Sequence, residues 1–143
     1  MSAYRFTHIL VAVDGSAGAT KALDCALSLG DALGASVTAL AVEGKLPAYA
    51  ASLGEVDEVK REKDAFFDRV LQDAVDEAAA RGIQLGAARV AGHAAEAITD
   101  YARAHDHDLV VVGQRGHFLG DYLLGSTADR VAHHAHCPVM IVR

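Results

Sequence analysis

The chain has 143 residues, of which 52% are apolar and 22% charged, and its formal net charge is −6. This length suits a single domain spanning residues 1–143 and allows roughly 68–70% of the unfolded-chain surface to be buried. The acidic balance argues against general attraction to nucleic acid or anionic membrane, and the apolar runs fall far short of the ~20 residues a membrane helix needs. The opening Met1-Ser2-Ala3-Tyr4-Arg5-Phe6 lacks a charged segment followed by a long apolar one, so no secretory signal is read and a cytoplasmic location is expected. The two cysteines, Cys25 and Cys137, make no disulfide framework and are expected to be reduced and buried.

In chain order, His8-Ile9-Leu10-Val11-Ala12-Val13 is a compact apolar run ending in Asp14-Gly15-Ser16, a buried strand meeting a turn. From Ser16 the period changes: Ala19, Ala22, Leu23, Ala26, Leu27, Gly30 and Leu33 mark one face of a helix that Ser16 caps and Gly34 ends. A second strand covers residues 36–42, and residues 43–54, with Pro47, form the longest expected loop. Val56, Val59, Phe66, Val70, Ala74 and Ala78 then stripe a helix over residues 55–81, stopped by Gly82. A third strand over 83–91, a short helix carrying Ala94, Ala95, Ile98, Tyr101 and Ala102, a fourth strand over 108–112 and a last strand over 138–142 complete the pattern.

The most distinctive stretch is Gly113-Gln114-Arg115-Gly116-His117-Phe118-Leu119-Gly120-Asp121-Tyr122-Leu123-Leu124-Gly125-Ser126-Thr127, which leaves the fourth strand and leads into a helix. Glycines let backbone N–H groups approach a ligand closely, and a helix N-terminus favours negative charge, so phosphate is the natural ligand. Alternating strands and helices imply a doubly wound α/β fold, a five-stranded parallel sheet with helices on both faces. Ligands in such sheets bind beyond the carboxyl ends of the strands, where the strand order reverses. Asp14-Gly15-Ser16 and the segment from Gly113 share a site only if the first and fourth strands are neighbours. Order 3-2-1-4-5 achieves this; the alternative, 2-1-3-4-5, puts the third strand between them.

Asp14 in an Asp-Gly-Ser sequence is also suited to an Asx turn or helix cap. No G-x-G-x-x-G follows the first strand, which argues against Glu43 as a ribose ligand of a dinucleotide enzyme, and no G-x-x-x-x-G-K-[ST] occurs. His133, His134, His136 and Cys137 span a helix end and a strand start, so their donors need not converge and no metal is read there. His105 and His107 follow a helix end and are expected to meet water or helix carbonyls.

Three segments resemble the universal stress protein family: Ile9-Leu10-Val11-Ala12-Val13-Asp14-Gly15-Ser16, the glycine-rich stretch, and His134-Ala135-His136-Cys137-Pro138-Val139-Met140-Ile141-Val142. ATP-binding members carry glycine, two residues, glycine, nine residues, glycine, then serine or threonine. Gly113, Gly116, Gly125 and Ser126 match, but eight residues separate Gly116 from Gly125. The shortening is assigned to residues 117–121. The resemblance implies Asp14 and Val42 near adenine, with Gly113, Gly116, Gly125, Ser126 and Thr127 near ribose and phosphates. Arg115 and His117 are the nearby potential cations.

The implied function is an ATP-binding (or AMP- or ADP-binding) stress-response module, with Mg²⁺ accompanying the phosphates, whose nucleotide state alters binding to a protein partner. No water-activating base or nucleophile–base pair is evident, so at most slow hydrolysis is expected. A nucleotide-free interaction protein and a slow adenine-nucleotide hydrolase are the alternatives. The apolar edge strand Val139-Met140-Ile141-Val142 is expected to form a homodimer, as in the family.

Overall fold

A run of large apolar side chains needs cover on both sides, and Ile9, Leu10 and Val11 obtain it in the middle of β1 (His8–Ala12), each fully buried. The computed structural model describes residues 4–44, 53–114 and 125–143. After β1 come α1 (Ala17–Leu33), β2 (Ser36–Glu43), α2 (Leu53–Ala80), β3 (Leu85–Ala91), α3 (Ala94–Ala104), β4 (Leu109–Gly113), α4 (Ser126–His134) and β5 (Val139–Val142). The strands pair in parallel in the order β3-β2-β1-β4-β5. The sheet thus takes the order in which the two distinctive turns are neighbours.

Strand alternation divides the core between the two faces. Ile9, Val11, Val37, Ala39 and Val111 pack with α1 and α2, whereas Leu10, Leu40, Val110 and Val112 pack with α3 and α4. On α1 the stripe Ala22, Leu23, Ala26, Leu27 and Gly30 is buried. Leu10, Leu27 and Leu40 are wholly buried, each contributing about 1.5–3 kcal/mol relative to exposure.

Local chemistry sets the boundaries. Ser16 Oγ accepts from the Ala19 N–H at 3.2 Å and starts α1, and Gly34 ends it. Behind α2, Gly82 N–H donates to Ala79 O and Ile83 N–H to Ala78 O. That closure explains why β3 begins at Leu85 and not at Ile83. Helix α2 begins at Leu53, inside the span expected as loop, while residues 45–52 of that loop lie outside the described residues.

At the amino end of the sheet, Asp108 accepts from Thr7 N (2.8 Å), Thr7 Oγ1 (2.7 Å) and His8 N (3.0 Å). Burial alone raises its pKa, but these hydrogen bonds outweigh burial and hold the carboxylate below its ordinary value. His105 Nδ1 lies 3.1 Å from Tyr101 O, as expected of a helix-end histidine. His107 differs: it is only 6% exposed, and its Nδ1 has no hydrogen-bond partner among the described residues. It lies just before β4 with its ring centroid 5.8 Å from that of Tyr101, and burial, reinforced by His105 and His8, pushes its pKa down. Both cysteines are free thiols but half-buried, not fully buried. Burial, followed by the Asp108 charge, pushes the Cys137 thiol up, which keeps it protonated.

Candidate functional site

The carboxyl ends of β1, β2 and β4 open into a cleft of about 480 Å³, with the first turns of α3 and α4 on its other side. Its apolar walls include Ala12, Leu40, Val42 and Ile98, and its polar groups include Asp14, Ser16, Gln114, Ser126 and Thr127. Asp14 Oδ1 accepts the Ser16 N–H at 2.9 Å, forming the Asx turn that its sequence context allows. Gly15 takes φ 83°, and an added Cβ would lie 3.3 Å from Phe66 and Val70 of α2. The Asp14 side chain is exposed and lines the cleft, and its second carboxylate oxygen adds acceptor capacity there.

Strand β2 outruns β1. Their register ends at Ala12↔Leu40, after which Val13 N donates to Leu40 O at 2.9 Å. Pairing with β3 continues to Glu43↔Ala91, and Gly92 N donates to Glu43 O at 2.9 Å. Main-chain groups alternate sides along a strand. Leu40 therefore faces β1, Glu43 faces β3, and the Val42 N–H and C=O point into the space beyond the end of β1.

The fourth strand meets α1 closely. A Cβ on Gly113 would lie 2.8 Å from both C and O of Gly18, so this glycine lets β4 seat against the first turn of α1. Next to it, Gln114 N donates to Val142 O, and Gly125 N donates to Gln114 O, both at 2.7 Å. The chain thus leaves at Gln114 and returns beside it at Gly125. Gly125 caps α4 without a side-chain hydrogen bond, and the first helical bond runs from Asp129 N to Gly125 O at 2.9 Å. The amides of Ser126, Thr127 and Ala128 precede that bond. They present donors where the helix dipole favours an anion.

Around the end of β2, Arg89 of β3 makes ion pairs with Glu43 (3.2 Å), Asp64 and Asp68 (3.3 Å), the last two on α2. Its guanidinium also lies 5.9 Å from the Phe67 ring centroid. Burial lowers its pKa, but the Asp64 hydrogen bond and the Glu43 charge more than offset that and raise it overall. Lys63 Nζ donates to Gly44 O at 2.8 Å.

Asp14, Val42, Gly113, Gly125, Ser126 and Thr127 all line the one cleft. Arg115, Gly116 and His117, together with the shortening assigned to 117–121, lie outside the described residues. Sequence reasoning treated Ser16 as a cap and Ile98 as core, and gave Gln114 no role. For Ser16, just before α1, and Gln114, just after β4, position beside the switch point was the available signal; Ile98, inside α3, offered none. Among the described residues, no three His, Cys, Asp or Glu side chains are arranged to hold a metal. His133 Nδ1 lies 2.8 Å from Asp129 O, and Cys137 packs beside the core of the α3–α4 face. No described helix is long and apolar enough to cross a membrane.

The profile of the Universal stress protein family matches residues 5–143. Universal stress protein YxiE of Bacillus subtilis (strain 168) is 33% identical over 147 aligned residues, covering 96% of this chain and 99% of that one. Universal stress protein UspA from Lactobacillus plantarum has a TM-score of 0.86 at 26% identity, over 99% of this chain and 100% of its own. A universal stress protein solved in complex with cAMP has a TM-score of 0.76 at 26% identity, covering 98% of this chain and 99% of its own. Profile, sequence and fold agree across nearly the whole length, and the chain belongs to the universal stress protein family.

Proposed function

We propose that the cleft binds an adenine nucleotide, ATP or its mono- and diphosphate relatives, and that the protein is a nucleotide-dependent binding module in the stress response. The observation that carries this reading is the placement of the α4 N-terminus opposite the overhang of β2, with an apolar wall between them. Phosphates suit the amides of Ser126, Thr127 and Ala128. The Val42 main chain offers a donor and an acceptor to a base edge, and Asp14 Oδ2 accepts from an exocyclic amine or ribose hydroxyl. The related protein in complex with cAMP supports the adenine assignment. Ser126 and Thr127 also carry hydroxyl oxygens suited to Mg²⁺, which would neutralise phosphate charge.

The role is read as binding with at most slow hydrolysis: the described cleft residues offer one ionisable side chain, Asp14, and its Oδ1 is engaged with Ser16. The nucleotide state is read by a protein partner, and two copies associate through β5. Isothermal titration with ATP and AMP tests the reading. Saturable binding is expected, weakened about tenfold by Asp14→Ala through loss of a charge-assisted hydrogen bond. No binding at millimolar nucleotide overturns it.

A further inference from the structure

The last three residues of β2 have a ladder partner on one side only. Ala41, Val42 and Glu43 pair with Arg89, Val90 and Ala91, while β1 has already ended opposite Leu40. A strand end paired on one side frays more readily than one held on both. Here it is clamped instead. Glu43 is held through its carbonyl by Gly92 N and through its carboxylate by Arg89, which also reaches Asp64 and Asp68 on α2. The Arg89 side chain is 26% exposed and that of Glu43 17%, so their attraction is less screened than that of a surface pair. A planar guanidinium with several fixed donors can bridge three carboxylates at once; a lysine ammonium has no such fork.

We propose that Arg89 is a positioning residue for base recognition: by tying Glu43 to α2 it fixes the adjacent Val42 main chain where it reads the edge of adenine. Arg89 is not among the residues lining the cleft and acts through the strand. The inference rests on the nucleotide-binding reading. It separates two halves of the site, because the phosphate donors lie on α4 and the base reader on β2. Loss of Arg89 therefore affects discrimination between bases and leaves anion affinity alone.

The test measures dissociation constants for ATP, GTP and inorganic tripolyphosphate on wild type, Arg89→Met, Glu43→Gln and Asp68→Ala. Wild type is expected to prefer ATP to GTP. Arg89→Met and Glu43→Gln are expected to weaken ATP binding roughly tenfold and bring the ATP/GTP ratio toward one, with tripolyphosphate binding unchanged. Asp68→Ala leaves the Arg89–Glu43 link in place and should retain the preference. Glu43→Gln serves as the milder lesion if Arg89→Met fails to fold. A wild-type preference retained in both linked variants overturns the inference alone, as does an equal loss for nucleotide and tripolyphosphate. Wild type that binds no nucleotide overturns the underlying reading and the inference with it.

Discussion

Individual residues hold this fold through contacts that composition conceals. Gly113 is legible as part of a phosphate motif, yet its visible work is steric: its Cα faces the Gly18 backbone, leaving no room for a methyl group. Backbone atoms on both sides cannot yield as a side chain tip does. Gly113→Ala is expected to lower stability by about 1–3 kcal/mol in denaturant unfolding, whether or not nucleotide is present. His107 shows the opposite limitation of sequence reading, since a histidine after a helix gives no sign of whether it turns inward. Its folded pKa lies below the ordinary histidine value of 6.5, so the unfolded chain binds more protons in acid. Stability therefore falls as pH drops below about 6.5. Asp108, with its depressed pKa, adds a second loss below about 3.8. Chemical denaturation between pH 7.5 and 5 is expected to show the histidine limb in wild type and a flatter profile in His107→Leu.

At the level of elements, period and punctuation made most of the fold readable. The α1 stripe, Ser16 and Gly34 announce that helix, and the need to bring two chemically distinctive turns together selected the strand order. Boundaries were less legible where one residue serves two elements. Ile83 has a strand-like side chain, but its N–H closes α2. The Arg89 network was invisible because its partners are 46, 25 and 21 residues away and follow no period. The overhang of β2 depends on the relative lengths of three strands, so it too emerges only on assembly. Helix ends and surface pairs also differ in weight. Ser16→Ala removes a buried cap and should cost about 1 kcal/mol. Arg81→Met breaks contacts to Asp24 and Glu77 whose side chains are 61% and 53% exposed. Thermal unfolding should show a smaller loss for it, below about 1 kcal/mol.

For the molecule as a whole, β3 and β5 form the two sheet edges. Val110 N donates to Pro138 O and Gln114 N to Val142 O, so alternation turns the Val139 and Ile141 main-chain groups outward. In the proposed dimer these pair with a second copy. Ile141→Pro removes an outward donor without touching the bonds to β4, and sedimentation should find it monomeric at micromolar concentrations where wild type is dimeric; a monomeric wild type contradicts the dimer. The Gly125–Gln114 hydrogen bond acts at the same scale. Because it fastens both ends of the excursion that includes residues 115–124, one residue more or fewer between them alters closure entropy by only on the order of 0.1 kcal/mol. The eight-residue spacing from Gly116 to Gly125 is then almost neutral for folding. Gln114 and Gly125 therefore act as a fixed socket on the sheet, and a change of length between them leaves the anchoring of β4 to β5 in place.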